Sequence, residues 1–409
     1  MTEQAIATPS SGEAAGGRRI LVLAPQPFFT QRGTPIAVRL MLETLAARGD
    51  RIDVIVYPDG EDIEIEGCRI SRVPALPGLT GIGPGFSLRK LAADIVMAPM
   101  ALARLITRRY DFVIAVEEAA YIAMIFSKLT GVPYIADVDS SIPEQIDDKY
   151  GLSPRMRGAL TWVETRATRN AIGALTCCKA LNDLVRAQAP DLPVQTVEDI
   201  TMLEPEDGRD PPEDARFEAP TIMYVGNLEP YQGVDLLMEG LAGLAPGIAA
   251  DLVVIGGRAE HIEAAKARAG ELGIADRTHF LGPRPVEHLG RYLRAADIVA
   301  SPRTQGRNTP MKVYSYLDSG RPLIATRLYT HTQVLDDTIA MLVEPTPEGM
   351  ADGLTRLLED PGLRTRMAEA AQTRVQAEFS RAGYERKLNG FLDEQIIPRL
   401  RRRKRARSA

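Results

Sequence analysis

The most constraining feature of this sequence is a regular alternation of short apolar runs with helix-like segments, which occurs in two successive blocks. The runs of the first block are Arg19–Pro25, Arg51–Tyr57, Phe112–Val116, Pro133–Val138, Ala174–Cys178 and Val194–Val197. Those of the second block are Thr221–Val225, Asp251–Ile255, Thr278–Leu281, Ile298–Ala300, Pro322–Ala325 and Ala340–Val343. Because buried parallel strands are continuously apolar and are joined through helices, this pattern predicts an α/β fold with doubly wound parallel sheets.

A stretch rich in proline and acidic residues separates the two blocks and has no apolar periodicity, which is typical of a linker between domains. We therefore predict two Rossmann-like domains whose ligands bind in a cleft at the carboxyl ends of the strands. The predicted segments are a disordered arm (1–17), an N-terminal domain (18–203), a linker (204–220), a C-terminal domain (221–383), a helix (384–400) and a basic tail (401–409).

Charge is spread unevenly along the 409 residues. The net charge is −5, yet seven basic residues lie between Arg399 and Arg407. A basic tail on an acidic body indicates an anionic partner, either lipid or nucleic acid, although a solvated terminus is the alternative. Aromatic residues make up only 5%, which argues against nucleic-acid binding on stacked aromatic side chains.

Three cysteines do not form a disulfide framework, and the four histidines lack metal-ligand spacing, so we predict a reducing cytosol and no metal site.

The segment Phe86–Arg109 is apolar in its middle and basic at both ends, with five basic residues and one acid. It predicts either an ordinary helix packed on the sheet or a helix that lies in a membrane interface. The glycine-rich stretch Gly78–Gly85 would act as a hinge before it. No clean run of about 18 apolar residues occurs, so we predict no transmembrane helix.

The clearest candidate site is the loop that follows the strand ending at Ser301. A helix is predicted from Thr309 to Gly320, and its free N–H groups would favour an anion. Arg303, Arg307 and Lys312 add positive charge, which suits a diphosphate. The alternative is a generic turn between strand and helix.

Three motifs in this order resemble the retaining, nucleotide-sugar-dependent glycosyltransferases of family four, which have the two-domain GT-B fold. They are Gln31–Pro35, Val225–Gly233 and Thr309–Pro322, and the resemblance spans Arg18 to Leu392. It implies a nucleotide diphosphate-sugar donor and no required cofactor or metal. The donor-binding residues that it suggests, together with the loop cations, are Gly33, Thr34, Gly226, Asn227, Gln232, Arg303, Arg307, Asn308, Thr309, Lys312 and Ser315.

The sequence departs from this family at charged positions. Asn227 and Gln232 stand where the family usually has an arginine and a lysine that neutralise the diphosphate. The family's Glu-x7-Glu motif falls on Arg307 and Ser315, so neither glutamate is present. We hypothesise that Arg303 and Arg307 restore the missing positive charge.

Carboxylates follow two strands of the first block. Glu117 and Glu118 come after one strand, and Asp139 stands after the next, where the family frequently has a histidine. Side chains at these strand ends could orient or deprotonate an acceptor hydroxyl, so we assign them as candidate catalytic residues. The alternative is that they cap the following helices.

We therefore predict a glycosyltransferase that acts on a lipid or lipid-linked acceptor at the cytoplasmic face of a membrane. Its expected partners are the nucleotide-sugar, the acceptor and an anionic membrane surface, and no nucleic acid. Two alternatives stay open: a catalytically silent subunit with the same fold that binds a partner, and a nucleotide-sugar epimerase.

Overall fold

The chain forms two parallel sheets, as seen in a computed structural model that describes residues 17–30, 33–83, 87–203 and 210–408. The strands of the first sheet are β1 (Arg19–Ala24), β2 (Arg51–Val56), β3 (Cys68–Arg72), β4 (Phe112–Val116), β5 (Tyr134–Val138), β6 (Gly173–Thr176) and β7 (Val194–Thr196). Those of the second are β8 (Thr221–Val225), β9 (Asp251–Ile255), β10 (Thr278–Gly282), β11 (Ile298–Ser301), β12 (Leu323–Thr326) and β13 (Ala340–Val343).

Both sheets are doubly wound. Their strand orders are β3-β2-β1-β4-β5-β6-β7 and β10-β9-β8-β11-β12-β13. β1 pairs in parallel with β2 and β4, and β8 pairs in parallel with β9 and β11. The order reverses beside β1 and beside β8, and ligands bind at the carboxyl ends of strands at such reversals. The predicted α/β class with two parallel sheets is confirmed.

Helices connect the strands of both sheets. They are α1 (Gly33–Ala47), α2 (Leu88–Thr107), α3 (Ala119–Thr130), α4 (Ile142–Tyr150), α5 (Pro154–Asn170), α6 (Lys179–Gln188), α7 (Val234–Ala242), α8 (Ala259–Glu271), α9 (Leu289–Ala295), α10 (Lys312–Asp318), α11 (Tyr329–Thr332), α12 (Pro347–Glu359), α13 (Pro361–Glu378), α14 (Arg381–Gly390) and α15 (Ile397–Ser408). No described helix is both long enough and apolar enough to cross a bilayer.

The second sheet has a buried core on each face. Ile222 and Met223 are neighbours on β8 and fully buried, but they belong to different apolar clusters. Successive side chains of a strand point to opposite faces, so burial of both means that helices cover both sides of the sheet.

The described residues divide into two compact units, the first made of residues up to 174 with 402–408 and the second of 175–401. This division falls inside β6 and not in the predicted linker 204–220, whose first six residues lie outside the described ranges. The residues after β6 join the second unit through contacts such as the hydrogen bond from Ala180 N to Gln333 Oε1 (3.0 Å) and the ion pair between Lys387 and Glu198 (2.5 Å).

The two predicted termini have different outcomes. The predicted arm 1–17 lies outside the described residues apart from Gly17. The predicted basic tail 401–409 is helical as far as Ser408, because α14 continues through a π turn (Phe391–Ile396) into α15. Arginine, lysine and alanine are strong helix formers, and Lys404 Nζ lies 2.8 Å from Asp111 Oδ1 within the first unit.

Candidate functional site

In the second unit, the loop after β11 leads into α10, whose first residue is Lys312. Its Nζ lies 3.9 Å from the centre of the Tyr224 ring, and it is buried without a hydrogen-bond partner among the described residues. The Tyr224 hydroxyl donates to Asn227 O at 2.6 Å, which holds the ring in place. A Cβ on Gly226 would lie 2.9 Å from Lys312 Nζ, so this glycine lets the backbone approach the ammonium group closely.

Arg303 lies in the same loop and is held by backbone and side-chain acceptors. Its Nη1 donates to Asn308 O at 2.8 Å and to Thr330 Oγ1 at 3.3 Å, and its Cζ lies 5.1 Å from the Tyr231 ring centre. A Cβ on Gly306 would lie 2.9 Å from that Cζ. The guanidinium group is thus fixed by several contacts, while its Nε–H is buried and donates to no partner in the described part of the chain.

Three buried polar atoms in this loop therefore lack a hydrogen bond within the described part of the chain: Lys312 Nζ, Arg303 Nε and Thr309 Oγ1. Burial lowers the pKa of the Lys312 ammonium well below its usual range, and the charge of Arg303 lowers it further. Burial also lowers the pKa of Arg303. Leaving such groups unpaired is unfavourable by about 1–3 kcal/mol each, and by more when they are charged, so the loop is suited to an anion that satisfies them.

The two positions where the family usually has cations have other roles here. Gln232 is buried and its Oε1 accepts a hydrogen bond from the Tyr224 hydroxyl at 3.4 Å. Asn227 is exposed, and its Oδ1 accepts from Glu229 N at 3.3 Å. Both residues therefore shape the strand-to-helix turn that borders the Lys312 ammonium.

The helix predicted from Thr309 to Gly320 is shorter than expected: α10 begins at Lys312 and has seven residues. Thr309 and Pro310 lie outside the helix and Met311 forms the turn before it, so the longer helix whose N-terminus we expected to bind an anion is not present. Ser315 is fully buried, and its hydroxyl accepts from Met202 N at 3.0 Å, so it is engaged inside the unit. Arg307 is exposed at the tip of the loop.

Gly33 and Thr34 begin α1 in the first unit. Gln31 and Arg32 of the same motif lie outside the described residues.

A buried histidine, His331, which was not predicted as a site residue, stabilises the loop after β11 through hydrogen bonds. His331 Nε2 lies 2.9 Å from Ser301 Oγ, and its Nδ1 lies 2.9 Å from Thr326 O. The Thr326 hydroxyl in turn donates to Arg303 O at 2.5 Å. A lone histidine with hydroxyl partners has no metal-ligand spacing, so its sequence context carries no signal of this role. Among the described residues, no group of His, Cys, Asp or Glu could hold a metal ion.

Burial lowers the pKa of His331 to about 4. The unfolded chain takes up a proton near pH 6.5 and the folded chain only near pH 4, so this residue should remove about 3 kcal/mol of stability as the pH falls between those values. We expect the imidazole proton signals of His331 to titrate below pH 5 in NMR spectra. Titration of these same signals near pH 6.5 would contradict the prediction. Because buried carboxyls titrate in the same range, the stability effect is read as the difference between the wild type and His331→Gln.

The first unit holds a separate charged cluster beside the carboxyl end of β4. Lys90 Nζ, from the inner face of α2, lies 2.7 Å from Glu118 Oε1 and 3.6 Å from Glu117 Oε2. The Tyr57 hydroxyl donates to Asp94 Oδ1 at 2.6 Å. Lys90 and Asp94 are one helical turn apart, so α2 contributes both charges to one place.

Two carboxyl groups at this place, those of Glu118 and Asp137, have pKa values near neutral pH. Burial, together with the charge of Glu117, raises the pKa of Glu118 to about 7, although Lys90 opposes this. The same two causes raise the pKa of Asp137 to about 7. Glu117 itself has a φ of 48°, a left-handed conformation that non-glycine residues rarely adopt and that is concentrated at functional sites.

The structure thus brings Glu117 and Glu118 together with Lys90, while Asp139 lies partly exposed in the bend after β5. The alternative prediction was that side chains after these two strands cap the helices that follow them. The residue before α4, Ser141, makes no side-chain cap, and its hydroxyl donates to Glu164 Oε1 at 3.0 Å.

Comparison with known proteins follows the division of the sequence into two blocks. Residues 32–197 match the family model described as glycosyl transferase 4-like domain. Residues 219–360 match the model described as glycosyl transferases group 1.

One characterised relative covers most of the chain. It is the alpha-D-kanosaminyltransferase of Streptomyces kanamyceticus, 26% identical in an alignment of 299 positions; the match covers 68% of this chain and 74% of that protein. Alignments with bacterial D-inositol 3-phosphate glycosyltransferases reach about 30% identity but span only about two fifths of those proteins.

Solved structures share the fold over almost the whole chain. Sucrose-phosphate synthase from Thermosynechococcus elongatus has a TM-score of 0.73 at 20% identity, covering 92% of this chain and 98% of that one. Anabaena HepE, solved in complex with UDP-glucose, has a TM-score of 0.68 at 16% identity, covering 92% and 100%. These identities are too low to show more than a shared GT-B-like architecture.

Proposed function

We propose that this chain, a glycosyltransferase of group 1, transfers a sugar from a nucleotide diphosphate-sugar to an acceptor hydroxyl with retention of anomeric configuration. The observation that carries the proposal is the set of three unpartnered buried atoms: Lys312 Nζ, Arg303 Nε and Thr309 Oγ1. A diphosphate offers several oxygen acceptors and two negative charges to such a set.

The same groups would stabilise the leaving group. As the bond between sugar and phosphate breaks, negative charge grows on the nucleotide diphosphate. Lys312 and Arg303 are already positioned and partly desolvated, so they stabilise this charge without reorganising. Neutralisation of the diphosphate is thereby assigned to side chains, and the proposal needs no metal or other cofactor.

For the acceptor, we assign Glu118 as the group that accepts the hydroxyl proton, with Glu117 and Asp139 as the other candidates. One oxygen of Glu118 binds Lys90, and the other is buried without a partner among the described residues. That second oxygen is therefore available to a hydroxyl group.

Changing Glu118 to glutamine should lower turnover by about 10²-fold or more, the usual contribution of a general base, while donor affinity stays near wild type. Because the base must be deprotonated, wild-type turnover should rise with pH through about 7, and this rise should be absent in the variant. Steady-state rates from pH 5.5 to 8.5 measure both effects, and Glu66→Gln, an exposed change in the same unit, is the control.

A large drop in the melting temperature of Glu118→Gln, with turnover per folded molecule unchanged, would assign the Lys90–Glu118 pair to structure. The catalytic role would then pass to Asp139 or Glu117.

A lipid or lipid-linked acceptor at the cytoplasmic face of a membrane is proposed because α2 exposes apolar side chains on its outer face. Leu88, Ile95 and Ile106 are 76%, 65% and 70% exposed. Peripheral association with the membrane, and a role in building cell-envelope glycolipids, follow from that assignment. The basic tail is helical as far as Ser408, and its Lys404 already pairs with Asp111.

Nucleotide release from a panel of UDP-, GDP- and dTDP-sugars, with and without added lipids, tests the proposal. Release that depends on an acceptor lipid supports it. Interconversion of sugars without nucleotide release would indicate the epimerase. If neither reaction occurs, the chain is a silent subunit, whether or not it binds a nucleotide.

A further inference from the structure

The exposed apolar side chains of this protein are concentrated on three helices of the first unit. The set consists of Leu88, Leu91, Ile95 and Ile106 on α2, Ile125 and Leu129 on α3, and Met156 and Trp162 on α5. α3 packs against both α2 and α5, so the three helices are neighbours. In the rest of the described chain, the exposed large apolar side chains are Leu76, Tyr150 and Tyr329. We call the eight-residue set the three-helix surface.

On α2 the exposed residues form one stripe. Leu88, Ile95 and Ile106 are separated by 7 and 11 residues, which returns each to the same side of an α-helix. The opposite side is buried and includes Met97 and Leu105. Folding of the unit buries the inner side of the helix and leaves the apolar outer stripe exposed.

The exposed charges on the three helices themselves have a single sign. On these three helices every exposed charged side chain is basic: Arg89, Lys128, Arg155, Arg157, Arg166 and Arg169. The acidic side chains of α2 and α5 are Asp94 and Glu164, and both are turned inward, where they accept hydrogen bonds from Tyr57 and Ser141. On the neighbouring α4, Asp147 pairs with Arg157 at 2.6 Å and Asp148 is exposed, so basic residues outnumber acidic ones at the border of the surface. An apolar surface with a basic surplus at its border complements a surface that is anionic outside and apolar beneath.

We propose that the three-helix surface docks on an anionic lipid bilayer, with its apolar side chains in the interfacial region and its arginines among the headgroups. This inference rests on the membrane association in the proposed function and names the surface that makes it, whereas the donor site does not depend on docking. A second copy of the chain fits the same surface poorly, because a symmetric contact would oppose like charges. No side chain of the loop after β11 takes part.

Trp162 makes this proposal directly measurable. It is the only tryptophan of the chain, it is 67% exposed, and tryptophan favours the boundary between water and lipid. Its fluorescence therefore reports on the three-helix surface and on no other part of the protein.

The experiment titrates the full chain with vesicles of phosphatidylcholine alone or with 30% phosphatidylglycerol. We expect a saturable blue shift of Trp162 emission with the anionic vesicles, quenching by brominated lipid, and reversal at about 0.5 M salt, where charge screening is strong. The double variant Leu88→Gln with Ile95→Gln should bind at least 10-fold more weakly. Leu76→Gln, an exposed leucine outside the surface, should bind like the wild type.

Charge is tested in the same way. Arg155→Gln combined with Arg166→Gln should weaken binding to anionic vesicles about 10-fold, whereas Arg366→Gln, an exposed arginine of the second unit, should not. Equal blue shifts with neutral vesicles, or none with anionic ones, would overturn the proposal. Self-association that the leucine variant abolishes, seen by sedimentation without lipid, would also overturn it and assign the surface to a second copy.

Nucleotide binding by the same samples separates the two proposals. Lost vesicle binding with intact nucleotide binding overturns the docking surface and the lipid acceptor proposed from it, and leaves the donor site standing. Intact vesicle binding without nucleotide binding overturns only the donor site.

Discussion

Replacing Lys312 with methionine is expected to weaken binding of the donor nucleotide diphosphate by about 10- to 100-fold, which corresponds to about 1–3 kcal/mol for a charge-assisted contact. The folded protein should not lose stability, because an apolar side chain of similar length replaces a buried ammonium that has no hydrogen-bond partner. Calorimetric titration measures the first effect and thermal unfolding the second. Lys266→Met, an exposed lysine of the same unit, is the matched control.

The pH dependence of this affinity has a defined sign. Burial holds the pKa of free Lys312 well below its usual range, and a bound diphosphate favours the charged form. Donor binding should therefore take up a proton, and affinity should fall as the pH rises above the pKa of the free lysine. Arg303→Met should also weaken binding of the nucleotide diphosphate. Arg307→Met should weaken it less, because Arg307 is exposed. Unchanged affinity in Lys312→Met, Arg303→Met and Arg307→Met would refute the proposed donor site and favour the silent subunit.

The second large effect concerns Gly233, which ends the turn after β8. Its φ is +73°, and a Cβ there would lie only 2.0 Å from the carbonyl oxygen of Pro302. Pro302 directly precedes Arg303 in the chain. Gly233→Ala should therefore destabilise the protein by about 2–4 kcal/mol, combining left-handed backbone strain with a clash against backbone atoms. Urea unfolding measures the change in free energy.

Gly247→Ala is the control for this prediction. Gly247 has a φ of +89°, but no atom lies within 4 Å of its ideal Cβ, so only the strain of about 1 kcal/mol remains. Equal losses for both variants would show that the contact with Pro302 is relieved by a small shift. The clash, if it persists, should also lower donor affinity, since it displaces the loop that carries Arg303.

The strands were predictable because buried parallel strands are continuous apolar runs. Residues 20–24 of β1 and 252–255 of β9 are almost completely buried, and each is recognisable without tertiary information. β3 was not predicted. Its residues, Cys68–Arg72, are only partly buried at the edge of the first sheet, so the strand has mixed polar character and no apolar signal.

The sequence by itself determined the α/β class, the two sheets and the cationic loop around Arg303 and Lys312, because strand periodicity and charge are local properties. Only the tertiary structure decided which polar atoms meet. Lys90 reaches Glu118 from a helix 28 positions earlier in the chain, and Lys312 lies against the ring of Tyr224, 88 positions before it. Such contacts depend on how helices pack on a sheet, and burial, which shifts the pKa of Glu118 and Lys312, exists only once that packing has formed.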